Sequence, residues 1–353
     1  MERKRFDELT VQMGEREYHA LDALNYTTLA RYEREGFQAL TKPEEPATDA
    51  QVFGSVVDVL LTRPDRFNDE FVLMGSGNKT EKKTREIVIE LWRKFHDKYG
   101  RLQDIPKDEL LYVLNEYTWY MNWTEKTRLH KVADDARWQG LYGTYDDSKT
   151  LVDDISYAKA ERCALALRSS EPTQWLFFPD TPGIERYWQQ KIVRDIAGIR
   201  FKGMLDEVIV FHGDRRIVPV DIKTMKDPAY MFPKSFVRWG YWIQAQLYTA
   251  LLEELVKDDP YYKDFTIDPF EFAVVSKTDN SVLLWTYDKT ASPETVTVQD
   301  KAGNIIVMRD YMTIAGEVEA HLAKGDGMPR GIDKNSSNDI LFAIGDTLCG
   351  CQR

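Results

Sequence analysis

Asp206, Asp221 and Lys223 fall within one stretch, KGMLDEVIVFHGDRRIVPVDIKT, in which two short apolar runs are joined by a polar turn. In an extended strand successive side chains face opposite ways, so Val218, Val220 and Ile222 point to one side while Asp221 and Lys223 share the other. Carboxylates beside an ammonium are the minimum equipment for holding a divalent metal against a phosphodiester. Cleaving such a bond requires neutralising charge on the phosphate and generating hydroxide near neutral pH, which Mg²⁺, or Mn²⁺ in its place, can supply. Mg²⁺ prefers carboxylate and carbonyl oxygens and keeps several waters, so a few acids converging on one spot suffice. Asp206 and Asp221, on adjacent strands, can converge, and Glu185, one strand earlier in GIERYW, is the natural third. Lys223 lies about 7 Å beyond Asp221 on the same face. Its expected role is to orient and acidify the attacking water and to stabilise the developing negative charge.

A charged pair on the solvent face of an antiparallel strand is a common structural feature, and Asp-x-Lys alone does not exclude it. The helix that follows adds to the chemical reading, because Tyr241, Gln244 and Tyr248 stand at i, i+3 and i+7 and form one polar-aromatic stripe. A half-buried amphipathic helix would show the same stripe.

The elements that must position these groups describe an α/β unit with a helical insertion. Residues 184–193, 198–211 and 216–224 read as three strands of a meander. A long helix over 235–257 tolerates Gly240 at a cost of about 1 kcal/mol, and 270–277 with 281–288 form a hairpin. Upstream, helices are expected over 26–36, 49–61, 86–99, 107–127 and 153–168, with Arg63-Pro64 stopping the second. The Trp/Tyr/Gly/Asp-rich stretch 138–149 reads as a loop, and a further helix is expected over 312–324. Residues 1–353 are thus expected to be one domain: a helical part over 1–94, an insertion at about 95–150, a core at about 151–290 and an extension over 291–353.

With 353 residues, 43% hydrophobic and 12% aromatic, the chain can bury a substantial core. The start, MERKRFDELT, lacks the apolar run of a signal peptide, and no stretch is long and apolar enough to span a bilayer. Three cysteines are too few for a disulfide framework, and they cannot supply the four thiolates of an iron–sulfur cluster. A reducing, cytoplasmic setting with no membrane partner is therefore expected, with Cys349 and Cys351 as ordinary thiols. A net charge of −11 is awkward for a protein that meets phosphates. Two stretches are locally basic: 78–101, with eight basic and four acidic residues, and 186–202, where five basic residues, Arg200 and Lys202 among them, face Asp195. The second run is the expected contact for a nucleic-acid backbone. The first reads equally as a solvated helix face.

The order of these residues resembles the PD-(D/E)XK nucleases, and within them the exonuclease VIII (RecE-type) group of phage recombination exonucleases. Tyr26-Thr27-Thr28-Leu29 is similar to that group's S-x-S-x-L helix start. Phe53-Gly54-Ser55-Val56-Val57-Asp58, followed by Leu61-Thr62-Arg63-Pro64-Asp65-Arg66-Phe67, is similar to G-T-x-x-H…L-x-P-x-x-F. Phe201-Lys202-Gly203-Met204-Leu205-Asp206 resembles K-G-R-P-D, and Trp239 to Tyr248 resembles Y-G-Y-x-x-Q-A-x-x-Y. Met204 and Leu205 replace the Arg and Pro of the pattern, and Asp58 stands where the pattern has His. The match spans roughly residues 20–90 and 150–290, and the 95–150 insertion is longer than the family usually carries.

The resemblance implies a restriction-endonuclease-like core, a central mixed β-sheet flanked by helices. It also implies a Mg²⁺-dependent exonuclease that digests linear double-stranded DNA from the 5′ end and leaves 3′ tails for a single-strand annealing partner. Such enzymes are often ring-shaped homo-oligomers, and a phage origin within a bacterial cytoplasm goes with them. By carry-over, Glu185, Asp206, Asp221 and the Ile222 carbonyl are metal ligands, with Asp58 a further oxygen donor, and Lys223 is the catalytic lysine. Gln244, Tyr248 and Tyr241 would position the scissile strand or hold the carboxylates. A structure-specific, repair or defence endonuclease would share every one of these residues, and a non-catalytic DNA-end-binding protein on the same fold is the remaining alternative.

Overall fold

Gly14 leads into a short helix, α1 (Glu15–His19), and the Asn25 side chain accepts a hydrogen bond from the Thr28 amide to start α2 (Tyr26–Glu35), where the sequence places a helix. The computed structural model describes residues 3–40, 47–74, 82–288, 297–299 and 305–324. Cys349, Cys351 and most of the 291–353 extension lie outside them.

The chain divides into two compact units, one made of 1–46 with 165–353 and the other of 47–164. The inserted unit is therefore broader than the 95–150 stretch that its aromatic residues marked. It opens with α3 (Asp49–Thr62), whose Thr48 and Gln51 satisfy each other's amides, and Arg63-Pro64 ends that helix. There follow α4 (Phe67–Glu70), β1 (Phe71–Met74), α5 (Lys82–Phe95), α6 (Lys107–Glu116), α7 (Glu125–Asp134), α8 (Ala136–Thr144) and β2 (Thr150–Asp153), which pairs parallel with β1. Two sequence expectations change here. The helix over 107–127 is two helices, broken where Thr118 (φ 47°) and Tyr120 (φ 44°) turn left-handed. The stretch 138–149 is largely the helix α8, because Trp138 is buried against Trp119 with ring centroids 5.1 Å apart. Tertiary packing overrides the loop-like composition.

After α9 (Asp154–Ser169) the other unit builds its sheet from β3 (Ile184–Ile196), β4 (Ile199–Phe211) and β5 (Arg216–Met225). Ala197 (φ 50°) and Gly198 (φ 84°) form a two-residue hairpin turn whose left-handed backbone matches the strand twist, and it fixes the β3–β4 register. The chain then forms α10 (Phe232–Trp239), α11 (Tyr241–Val256), β6 (Thr266–Ile267), β7 (Phe270–Ser276), β8 (Val282–Tyr287), the small hairpin β9 (Thr297–Gln299) with β10 (Ile305–Val307), and α12 (Tyr311–Lys324). Strand order is β3-β4-β5-β7-β8, antiparallel except where β5 meets β7, with β6 also parallel to β5. This is a mixed α/β architecture with a central mixed sheet flanked by helices.

The long helix expected over 235–257 is broken at Gly240, whose φ of 68° ends α10 and redirects the chain into α11. α11 lies across β3 and β4, and α2 and α12 pack against it. Its close approach depends on Gly203, where a Cβ would stand 2.7 Å from Leu251 Cδ1 and 2.9 Å from Tyr248 Cε1. Among the described residues no helix is long and apolar enough to cross a membrane.

Candidate active site

The β4–β5 ladder ends at the Glu207–Val220 pair, while β5 continues along β7 as far as Met225. The two strands therefore part immediately before Asp206 and Asp221. The Ile222 N–H, released from the ladder, donates to the Asp206 carboxylate at 2.8 Å. The N–H and C=O of one strand residue point to the same edge, so the Ile222 carbonyl also faces this fork. On the β3 side the same level is irregular. Gln189, with φ 52°, drops out of the β3–β4 ladder opposite Asp206 and brings its amide to 3.4 Å from Asp206 Oδ1.

Asp221 does not lie on a solvated face. It is 3% exposed beneath α11, where Gln244, equally buried, donates to its Oδ1, and Lys223 Nζ stands 2.6 Å from its Oδ2. Lys223 is 18% exposed, and its ammonium lies 4.5 Å from the centroid of the Tyr241 ring. Burial alone would lower the Lys223 pKa, and it is the largest single influence. Asp221, Tyr241 and Asp206 together outweigh it and hold the pKa above the ordinary lysine value, so the side chain is a cation. Burying such a pair seldom adds stability. Tyr248 is buried behind the carboxylates and hydrogen-bonded to the Met204 backbone, and burial carries its pKa well above the ordinary value. Burial likewise raises Tyr241, which lines the open side of the site. The stripe Tyr241, Gln244 and Tyr248 thus faces the carboxylates from α11.

Glu185 is elsewhere. The register set by the Ala197–Gly198 turn places it opposite Val210, four residues and about 13 Å from the level of Asp206. There it binds Arg3 at 2.5 Å, His212 at 3.0 Å and the Tyr187 hydroxyl. The residue that β3 does bring to Asp206 is Gln189, which sequence reading missed. Counting back from the hairpin turn is the signal that finds it.

Lys202 is not a nucleic-acid contact either. It is 4% exposed and donates to the carbonyls of Tyr18, His19 and Leu21 at 3.2, 2.9 and 2.8 Å, closing the last turn of α1. Arg186 and Lys191 serve similarly: Arg186 donates to the carbonyls of Leu176 and Trp175, and Lys191 to that of Met13. Trp175 and Leu176 lie in a single 3-10 turn (Gln174–Phe177) and Met13 in an irregular segment, and cationic side chains satisfy carbonyls that no strand ladder reaches. Arg200 is exposed but lies six residues, about 20 Å, from Asp206 along β4.

In the helical unit, Asp58 sits on α3 with its carboxylate 3.7 Å from Arg63. The basic residues of 82–101 are largely paired with acids, Arg93 with Asp147 at 2.7 Å and Lys94 with Glu116 at 3.0 Å, which is the pattern of a solvated helix face. Among the described residues no cluster of three or more His, Cys, Asp or Glu side chains could hold a metal ion.

Beyond Lys223 the fork opens into a cavity of about 230 Å³ lined by Lys226, Asp227, Ser235, Arg238, Trp239 and Tyr241 among others. The arrangement therefore combines two carboxylates and a carbonyl, a partly buried cation, and a basic, aromatic-rimmed opening.

No protein-family model and no curated protein matches the chain. Among solved structures it is similar to a protein of Eubacterium rectale named "Putative exonuclease", with 11% identity, a TM-score of 0.40 and coverage of 89% of this chain and 85% of that one. A Vibrio cholerae protein shows 10% identity and a TM-score of 0.17, covering 76% of this chain and 57% of that one.

Proposed function

We propose that this chain is a metal-dependent deoxyribonuclease of the PD-(D/E)XK kind, acting on linear double-stranded DNA as a 5′-to-3′ exonuclease and leaving 3′ single-stranded tails for recombination. The observation that carries the reading is the Asp221–Lys223 pair, its carboxylate buried and its ammonium partly exposed, facing Asp206 across the β4–β5 fork. The donor set fits Mg²⁺: the carboxylates of Asp206 and Asp221 and the Ile222 carbonyl are hard oxygen ligands, and an ion that keeps several waters needs few protein acids. When bound, the ion supplies charge neutralisation at the phosphate and acidifies a water.

The chain's own residues do the rest. Gln244 fixes the rotamer of Asp221, and the Ile222 N–H fixes that of Asp206. Lys223, held cationic, orients the nucleophilic water and stabilises negative charge on the phosphate. Glu185, Lys202 and Arg200 have no part in this chemistry. A single-strand annealing protein as partner, a homo-oligomeric assembly and a phage-encoded role in the bacterial cytoplasm complete the proposal.

The test is incubation of linear and circular duplex DNA with Mg²⁺. Loss of the linear form alone is expected. Nicked circles would assign the endonuclease reading, and inertness on both together with retained binding of linear ends would support a DNA-end-binding protein. Asp221→Ala and Lys223→Ala should each lower cleavage by about 10²-fold or more while cooperative unfolding is retained, and cleavage persisting in both overturns the site. Asp58→Asn in the same assay decides whether Asp58 is a further donor: a comparable loss assigns it, and full activity dismisses it.

A further inference from the structure

The cavity beside Lys223 carries a second feature that the cleavage chemistry does not use. Trp239, the last residue of α10, is 41% exposed at the cavity rim. Its ring is flanked by the guanidinium groups of Arg34 and Arg238, 5.2 and 5.1 Å from the centroid. The backbone beneath it is anchored: the Trp239 carbonyl accepts hydrogen bonds from the Tyr26 hydroxyl at 2.8 Å and from Arg34 at 3.4 Å, and Gly240 fixes the following turn. Lys226 and Arg238 are exposed around it, with Ser235 and Asp227 completing the wall. Arg34, Arg238 and Lys226 gather around this ring, against Asp227 and Glu35, the latter 3.9 Å from Arg34; in a chain of net charge −11 such a local excess of cations attracts a polyanion.

We infer that Trp239, with the guanidinium planes of Arg34 and Arg238, is a stacking platform for an unpaired nucleobase of the strand that enters the Lys223 site. This rests on the nuclease reading and specifies its substrate as a frayed or single-stranded end. Inside a duplex both faces of every base are occupied by its neighbours, so beyond the terminal pair a ring at the rim of a pocket can cover only a base that has left the stack. Aromatic stacking is indifferent to base identity, because every base offers a π-face. The cations at the rim would meet the phosphates on either side of that base.

The experiment measures binding in EDTA, where no cleavage occurs, with fluorescently labelled oligothymidylate of about 12 nucleotides and with a blunt duplex of the same length. Trp239→Ala should weaken single-strand binding roughly tenfold and leave duplex binding within about twofold, and Trp239→Phe should restore most of the difference. Because the ring is exposed, both variants should unfold at the wild-type midpoint. Unchanged single-strand binding in Trp239→Ala, or an equal loss on both probes, overturns the platform. Cleavage of DNA by the wild type alongside that result would leave the nuclease reading standing. The expected binding pattern from a wild type that cleaves nothing would instead remove the nuclease reading and keep the platform.

Discussion

Glu185 shows how far residue type and spacing can be read and where they stop. An acid one strand upstream of Asp206 and Asp221 has the composition of a ligand, but pairing register decides its partners, and one turn residue more or less moves a strand side chain by several ångströms. The register places Glu185 among Arg3, His212 and Tyr187, where it ties the start of the chain to the sheet. Burial by itself pushes its carboxyl up and is the largest influence. The hydrogen bonds from Tyr187, His212 and Arg3 outweigh it and bring the pKa from the ordinary 4.5 down to about 2. A depressed carboxylate contributes stability that is complete above its unfolded pKa and is lost as pH falls toward the folded one. Glu185→Gln should therefore lower the urea midpoint at pH 7, and the gap to wild type should close at about pH 2. A gap independent of pH would remove the ionic role. Asp206, Asp221, Lys223 and Gln244 were legible because strand alternation and helical spacing are local. Lys202 was not, since its three carbonyl partners come from a segment about 180 residues away in sequence.

At the scale of elements, the strands and the better-patterned helices could be read within a few residues, and the breaks could not. Gly240 inside an apolar pattern looks like a tolerated weakness in one helix, yet its left-handed φ makes it the joint between two. The bend is what presents Trp239 on one side and aims Tyr241 and Gln244 at the carboxylates on the other. Trp138 was lost in a composition that reads as loop because burial against Trp119 is a tertiary fact. The packing of α11 on β4 carries its own test at Gly203. An added methyl would meet Leu251 and Tyr248 inside van der Waals distance, so Gly203→Ala should destabilise the protein by about 1–3 kcal/mol. By lifting α11 it should also weaken the Gln244–Asp221 contact, lowering cleavage more than a surface Gly→Ala change of similar stability cost. A denaturant midpoint and a cleavage rate measured on the same preparation separate the two effects, and an unaltered midpoint would show that the helix can yield.

For the whole molecule, an overall charge of −11 confines polyanion binding to the few places where cations gather. Of the two basic runs in the sequence, the first has residues 78–81 outside the described ones and places Arg93, Lys94, Lys98 and Arg101 in ion pairs on and after α5, and the second is spent largely on backbone carbonyls. The cations that remain near the candidate site are Lys226 and Arg238, joined by Arg34, which is shared with Glu35 and the Trp239 carbonyl; they are spread over the sequence and form no run at all. Single-strand binding should accordingly weaken with salt at a shallow slope, and Arg238→Gln should reduce the slope of log K against log salt by about 0.7, the value of one phosphate contact. An unchanged slope would show that Arg238 meets no phosphate. The parting of β4 from β5 also bears on the order in which the molecule assembles. Asp206 and Asp221 are brought together by a local hairpin, which closes early because little chain must be ordered to form it. Gln244 and the cover over Asp221 come from α11, which lies across β3 and β4 and closes a longer loop than the hairpin does. Loop lengths alone would then make the carboxylates neighbours before they are buried, and in that order of events an acidic pair stands open to water and to any cation in it.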